Sequence, residues 1–307
     1  MAVTLEPLAA EAYDAWRAGV VRRLAELRYR HCTADPAAAT ALAEAQLARV
    51  LPDGLASADA HVRSVVRDGT RLGALCWLLV GGGEQATVLD VALDDTSDAG
   101  AVRAALIDEV RAAGARSLGA GVFAGDPVST AFAAGDGFTV RATTMRLDLT
   151  GDPVADDGRV ELRRMTPEEF ATFIADEERS YTEARIKAGD SPQVARTTAR
   201  QQFAALVPDG QNSAGQQFWT AYDGVTRVGL LWVDVSQPRA FVYYVEVDEA
   251  QRRRGYGAAI MTAGAAWCQR QGSIALGLNV FGYNTGARAL YDGLGYVVTE
   301  DSVASDL

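Results

Sequence analysis

The chain of 307 residues repeats itself, and this constrains the fold more than any other feature of the sequence. The segment "LPDGLAS" at 51–57 matches "VPDGQNS" at 207–213, and "TRLGALCW" at 70–77 matches "TRVGLLWV" at 226–233. Two further pairs follow in the same order: "ATVLDVALDD" at 86–95 with "AFVYYVEVDE" at 240–249, and "LGAGVF" at 118–123 with "LGLNVF" at 276–281. Matches that keep their order and spacing indicate two copies of one domain.

The joint between the copies is expected at residues 150–158, "TGDPVADDG", where Gly, Pro and Asp cluster without periodicity. We therefore predict a first domain over 1–150, a linker over 151–158 and a second domain over 159–307. Two domains of this size also suit the total length, because single cores rarely grow to 300 residues.

Charge and composition exclude several classes of protein. The net charge of -11 disfavours binding to nucleic acid, which needs a basic surface. The longest apolar run, "ALCWLLV", is far too short to cross a membrane, and the N-terminus has no signal-peptide pattern. Three widely spaced cysteines (Cys32, Cys76 and Cys268) favour a reducing compartment over a disulfide framework or a metal site. We expect a cytoplasmic protein without a metal; the sequence does not specify its oligomeric state.

The second copy predicts a fold of mixed α/β class. Thr166, Pro167 and Glu169 form the start signal of a helix, a capping box with proline at the first helical position. Three strand patterns follow over 216–247, and then helix and strand patterns alternate to the C-terminus. The antiparallel meander followed by βαβ alternation predicts a mixed antiparallel and parallel sheet flanked by helices in each copy.

The segment "QRRRGYGAAI" at 251–260 concentrates positive charge in an acidic chain. It lies between a predicted strand and a predicted helix, whose N-terminus carries unpaired N–H groups and partial positive charge. Glycines let a phosphate approach the backbone closely, and arginines add charge-assisted hydrogen bonds. The pattern therefore suits an anion cradle; the alternative is a solvated basic loop with a glycine cap.

Two motifs resemble the GNAT superfamily of N-acetyltransferases. Arg252-x-x-Gly255-x-Gly257-Ala258 is similar to the family's Arg/Gln-x-x-Gly-x-Gly/Ala loop, and Asn284 through Tyr291 to Gly295-Tyr296 is similar to a second conserved segment. The resemblance covers about 160–300 well and extends more weakly to the first copy. It implies acetyl-CoA as co-substrate, with its pyrophosphate on the loop and its pantetheine along the preceding strand. The implied cofactor-binding residues are Val245, Val247, Arg252, Arg253, Arg254, Gly255, Tyr256, Gly257, Ala258 and Asn284.

The resemblance also implies direct acetyl transfer to an amine, with two candidate catalytic residues. Tyr291 matches the family's acid, which protonates the departing thiolate. Glu246, on the strand that should end at the acetyl group, is the candidate base, unless its side chain points away from the site. Many family members use a glutamate on the next strand, but this chain has Asn279 there, which cannot accept a proton.

The first copy lacks these residues. Its loop "LDDTSDAG" at 93–100 contains no arginine, and Ala133 and Ala92 align with Tyr291 and Glu246. Carboxylates beside a pyrophosphate would repel it. We therefore predict that only the second copy binds acetyl-CoA, and that the first is a degenerate, non-catalytic copy.

The acceptor is left open by the sequence. The acidic stretch "TPEEFATFIADEERSYTEAR" at 166–185 favours a small cationic amine or an amino sugar, although it also suits a solvated helix face. A mycothiol-synthase-like enzyme and a protein N-acetyltransferase are alternatives within the family. A non-catalytic acyl-CoA-binding sensor is the alternative of another class, since a sensor needs the loop but no proton donor.

Overall fold

The computed structural model describes residues 3–31, 35–135, 137–187 and 191–307. Cys32 lies outside the described residues. Among the described helices, none is both long enough and apolar enough to cross a membrane.

The two copies predicted from the sequence contain the same elements in the same order. The first has β1 Thr4–Pro7, α1 Tyr13–His31, α2 Pro36–Val50, β2 Ala60–Arg67, β3 Thr70–Val80, β4 Gln85–Leu93, α3 Ala99–Ala112, β5 Ser117–Phe123, α4 Pro127–Ala133 and β6 Thr139–Asp148. The second has β7 Glu161–Arg164, α5 Pro167–Lys187, α6 Pro192–Leu206, β8 Gln216–Asp223, β9 Thr226–Asp234, β10 Arg239–Val247, α7 Tyr256–Arg270, β11 Ala275–Phe281, α8 Thr285–Gly293 and β12 Val297–Asp306. The tandem mixed α/β architecture is thereby confirmed.

Local sequence signals explain where several helices begin and end. The backbone N–H of Thr166 donates to Glu169, and the N–H of Glu169 donates back to the Thr166 hydroxyl, which is the predicted capping box of α5. Helix α7 ends before Gly272, which has φ of +88°, a left-handed conformation that glycine adopts readily.

Spatial contacts divide the chain into two compact units. Unit 1 comprises the residues up to Arg146 together with 279–288 and 297–307, and unit 2 comprises 147–278 and 289–296. The units therefore differ from the sequence copies, since residues 279–288 and strand β12 of the second copy both belong to unit 1. Strand β12 shows this most clearly. In unit 1 it lies between β5 and β6 and pairs antiparallel with both.

The sheet of unit 1 has a hydrophobic core on each face. Successive residues of β3 alternate between them, because side chains of a strand point to opposite faces. Leu75 and Trp77 pack in the cluster that includes α3, whereas Ala74 and Cys76 pack in the cluster of α1 and α2. The buried strand β3 is thus apolar on both sides.

In unit 2, aromatic side chains of the strands pack against α5, and α7 packs closely on β9. Phe173 of α5 contacts Phe218, Trp232 and Tyr244, with ring centroids 5.2–6.2 Å apart. A Cβ added at Gly264 of α7 would lie 2.6 Å from Leu231, so alanine here would require the Leu231 side chain to shift.

In both copies the central parallel strands diverge after a short paired stretch. The strands β10 and β11 pair from Arg239 to Val242, and a bulge interrupts the pairing of β10 with β9 between Val242 and Tyr244. In the first copy, β4 and β5 pair only from Gln85 to Val88. Beyond the paired stretch, one edge of β10 and one edge of β4 have no neighbouring strand among the described residues. A ligand can form hydrogen bonds with the strand backbone there.

Candidate active site

The loop after β10 brings arginine residues next to the start of α7, where a helix has N–H groups without intrahelical acceptors. Arg252 is anchored by its Nε, which donates to the carbonyl of Val247 at 3.2 Å. Arg253 has φ of +64°, which is uncommon for a residue with a side chain, and Gly255, the N-cap of α7, has φ of +85°. The first turn of a helix has N–H groups without intrahelical acceptors and carries partial positive charge. This geometry suits binding of a pyrophosphate.

Gly257 allows α8 to pack directly on the first turn of α7. A Cβ at this position would lie 3.1 Å from Leu290 and 3.7 Å from Val247, so larger residues would separate the two helices. Tyr291 follows Leu290 in α8, and the close packing therefore brings the predicted acid beside the predicted anion cradle within unit 2.

Tyr256 has a structural role that its sequence position did not reveal. Its ring is buried, its hydroxyl donates to Asp223 at 2.7 Å, and the guanidinium of Arg159 lies 4.2 Å from the ring centroid. The side chain therefore fixes the start of α7 against β8. With the side chain engaged in these contacts, only the backbone N–H of Tyr256 is left for the predicted anion cradle.

Val245 and Val247 lie on the part of β10 that has diverged from β11. Their backbones pair with Leu231 and Gly229 of β9 on one side. The opposite edge of β10 has no paired strand beyond Val242 among the described residues. This edge offers N–H and C=O groups to an amide-bearing ligand, as the sequence prediction requires.

The side chain of Glu246 contacts Tyr244 of the same strand and lies near Arg252 of the following loop. Its Oε2 accepts a hydrogen bond from the Tyr244 hydroxyl at 3.0 Å, and its Oε1 lies 3.8 Å from the guanidinium of Arg252. About two fifths of the side chain is exposed. Glu246 is therefore reachable from solvent and held between a phenol and an arginine.

Sequence reasoning did not single out Glu177 of α5, which shares this environment. Burial raises the pKa of the Glu177 carboxyl, and the negative charges of Glu246 and Asp176 raise it further. Burial also raises the pKa of Tyr244, as do the charges of Glu246 and Glu177. Glu177 thus lies near both Glu246 and Tyr244, although Glu177 and Glu246 are 69 positions apart (177 to 246) in the chain. No local pattern could have shown this.

Tyr291 is buried in α8 and lies next to another tyrosine. Its ring centroid is 5.8 Å from that of Tyr296. Burial raises the pKa of its phenol above the ordinary value. The group is consequently protonated at neutral pH, which is the form that a general acid requires.

The two asparagines singled out in the sequence both belong to unit 1. The Oδ1 of Asn284 accepts from the N–H of Ala287 at 3.1 Å, so Asn284 caps α8. The side-chain amide of Asn279 lies 3.4 Å from the hydroxyl of Thr144. Both side chains are therefore occupied by contacts within unit 1.

Residues 174–296 match the family model described as "Acetyltransferase (GNAT) family". The chain is 30% identical over 145 residues to the N-acetyltransferase YycN of Bacillus subtilis, covering 45% of this chain and 93% of the relative. It is 28% identical over 144 residues to YdgE of the same organism, covering 45% and 92% of the two chains.

Solved structures resemble the chain over its whole length. A GCN5-related N-acetyltransferase from Sphaerobacter thermophilus has a TM-score of 0.55 at 14% identity and covers 98% of this chain and 94% of its own. A GNAT-family acetyltransferase from Colwellia psychrerythraea has a TM-score of 0.50 at 11% identity and covers 100% of both chains. At such identities these two matches support the fold alone. The family match and the identity to YycN establish that this chain belongs to the GNAT family and is an acetyl-CoA-dependent acetyltransferase.

Proposed function

We propose that the second copy, residues 159–307, transfers the acetyl group of acetyl-CoA directly to a primary amine of a small cationic molecule. The observation that carries the proposal is the partly exposed Glu246 carboxylate, which accepts a hydrogen bond from Tyr244 and lies near Glu177. Carboxylates attract an ammonium group, and partial dehydration of the site lowers the pKa of the amine, so that a carboxylate can accept its proton. Amino sugars and polyamines are the acceptor classes with this chemistry.

Acetyl-CoA is held along the free edge of β10 and at the start of α7. The N–H groups of Tyr256, Gly257 and Ala258 receive the pyrophosphate, with Arg252 to Arg254 supplying positive charge. The backbone of Val245 and Val247 receives the pantetheine amides. A backbone N–H of this strand also stabilises the oxyanion that forms during attack.

The reaction proceeds by direct attack. Glu246 accepts a proton from the ammonium, and the neutral amine nitrogen then forms a bond to the thioester carbonyl carbon. As the carbon–sulfur bond breaks, the nitrogen releases its second proton to solvent, which leaves a neutral amide, and the departing thiolate takes the proton of the Tyr291 hydroxyl. Glu177 binds the cationic acceptor and orients it toward Glu246. Tyr291 regains its proton from solvent.

An acceptor screen tests the proposal. The protein is incubated with acetyl-CoA and a mixture of polyamines, amino sugars, aminoglycosides and peptides, and acetylated products are identified by mass spectrometry. We expect acetylated small amines and no acetylated peptide. Turnover on peptides only would replace the small-molecule acceptor by a protein. Tight binding of acetyl-CoA without any product would favour an acyl-CoA sensor.

A matched pair of variants tests the role of Glu177. E177Q is expected to raise KM for the amine about tenfold, which corresponds to ~1.4 kcal/mol. E178Q is the control, because Glu178 is the neighbouring acid on α5 and contacts Arg200 instead. Equal kinetics for E177Q and the parent protein would remove Glu177 from the acceptor site.

A further inference from the structure

Arg159, which directly follows the linker, has its guanidinium beside the start of α7 in unit 2. A Cβ added at Gly255 would lie 3.2 Å from Arg159 Nη1. Gly255 is the N-cap of α7, so the guanidinium lies next to the first helical turn, where N–H groups have no intrahelical acceptor. Arg159 is 93 positions before Arg252 (159 to 252), and the loop sequence could not have indicated it.

The guanidinium of Arg159 is held in this position without using its hydrogen-bond donors within the described part of the chain. It lies 4.2 Å from the ring centroid of Tyr256, and its Nε is 3.9 Å from Asp223 Oδ2, which is beyond hydrogen-bond distance. Asp223 Oδ2 accepts instead from the Tyr256 hydroxyl at 2.7 Å. About two fifths of the Arg159 side chain is exposed. A planar guanidinium with unused donors is suited to two-point binding of a phosphate.

The neighbouring acids have other donors. Asp157 Oδ1 accepts from the backbone N–H of Arg159, and Asp248 pairs with Arg227 at 3.4 Å. Acids and arginines both surround the start of α7, so the unused donors of Arg159, rather than the local net charge, indicate an anion with several acceptor oxygens.

Arg163 of β7 shows the opposite arrangement four residues further along the chain. It also lies over an aromatic ring, 4.6 Å from the centroid of Tyr222. Unlike Arg159, it donates to Glu161 at 2.6 Å and to the carbonyl of Gly224 at 3.1 Å. Its donors are therefore used within the fold, which makes Arg163 a matched control.

The first copy has no counterpart of Arg159 in its sequence. Val3-Thr4-Leu5 aligns with Val160-Glu161-Leu162 at the first strand of each copy, which puts Ala2 at the position of Arg159. The arginine is thus confined, like Arg252 to Arg254, to the copy with the proposed acetyl-CoA site.

We propose that Arg159 binds a phosphate group of acetyl-CoA together with the first turn of α7. This role rests on the placement of acetyl-CoA proposed above, and it adds a cofactor-binding residue from outside the loop. Acetyl-CoA has a pyrophosphate and a ribose 3′-phosphate, and both offer the oxygens that a guanidinium binds.

Calorimetric titration of the full chain with CoA and with dephospho-CoA, which lacks the 3′-phosphate, tests this role. We expect R159Q to bind CoA about tenfold more weakly than the parent protein and with a smaller dependence on salt. R159K should recover part of the affinity, because it keeps the charge, and R163Q should bind normally. An equal loss for CoA and dephospho-CoA places Arg159 on the pyrophosphate, whereas a loss for CoA alone places it on the 3′-phosphate.

The role of Arg159 is overturned if R159Q binds CoA like the parent protein. It is also overturned if R159Q binds more weakly with unchanged salt dependence and R159K recovers nothing, because the ring contact then only fixes the start of α7. R252A separates these results from a failure of the cofactor placement. Weaker binding in R252A with normal binding in R159Q removes Arg159 alone, whereas CoA binding that is absent from the parent protein or unchanged in both variants overturns the proposed acetyl-CoA site as well.

Discussion

The guanidinium of Arg67 lies 2.7 Å from the carboxylate of Asp98 at the start of α3. Asp98 directly precedes this helix, so its negative charge lies at the end that carries partial positive charge. The equivalent end of α7 follows Arg252 to Arg254 and is capped by Gly255. The first copy thus neutralises its helix terminus with its own carboxylate, and the second presents an arginine-flanked terminus to an anion.

This difference predicts one acetyl-CoA per chain. A pyrophosphate at α3 would have to displace Asp98 from Arg67 and would be repelled by Asp94 and Asp95. Equilibrium titration should therefore give a stoichiometry of one, unchanged in D98A. Two sites of comparable affinity in the parent protein would contradict the assignment of the first copy as degenerate.

Arg252 is expected to contribute to acetyl-CoA affinity through its charge. R252A should weaken binding about tenfold, or ~1.4 kcal/mol, because one charge-assisted contact to phosphate is lost. It should also reduce the dependence of affinity on salt concentration. R116A is the control, since Arg116 is largely exposed and belongs to unit 1. The same affinity and salt dependence in R252A and R116A would make the loop a solvated helix entry.

Tyr291 is expected to act through its hydroxyl. Y291F should lower kcat by about 100-fold with little change in KM, since general acid catalysis typically contributes this much or more. Y296F is the matched control, because Tyr296 is a buried tyrosine in ring contact with Tyr291. If Y291F keeps the parent kcat, the ring only packs and the acid is another group.

The elements of the second copy could be predicted from its sequence because their signals are local. The strand pattern at 240–247, the capping box at Thr166 and the glycine stop at Gly272 all depend on neighbours within a few residues. Gly73 and Gly229 match each other in the repeat, and both are glycine for the same structural reason. A Cβ at either would lie about 2 Å from a carbonyl oxygen of the adjacent strand (2.1 and 2.0 Å).

The features that the sequence did not reveal depend on contacts between distant segments. Strand β12 runs from Val297 to Asp306. Its second half, "DSVASD", is too polar to indicate a strand. It forms one because β5 and β6 satisfy its backbone on both sides. The proximity of Glu177 to Glu246 is hidden for the same reason.

The acid limb of the pH–rate profile should report Glu177. This residue acts in its ionised form, so activity falls as the pH decreases through its pKa. Because burial and the neighbouring charges raise that pKa, the limb should lie above the range of an ordinary glutamate, which is about 4.3. D176N removes one of the charges that raise it, and should move the limb to lower pH by roughly half a unit or less. E178Q should leave the limb in place; an identical shift in both variants would indicate a general charge effect.

Deletion of β12 should destabilise unit 1 even though the strand comes from the second copy. A chain that ends at Tyr296 exposes the edges of β5 and β6, and unpaired strand edges promote association between chains. We expect Tm to fall by ~10 °C or more, with concentration-dependent aggregation in light scattering. A chain that lacks only the terminal Leu307 is the control. A synthetic peptide of residues 297–307 should restore solubility by adding the missing strand in trans. If the shortened chain keeps its Tm and stays monodisperse, the strand is dispensable and the first copy folds by itself. If the peptide rescues it, the first copy needs β12 of the second to complete its sheet, and cutting the chain at the linker would leave the first copy incomplete.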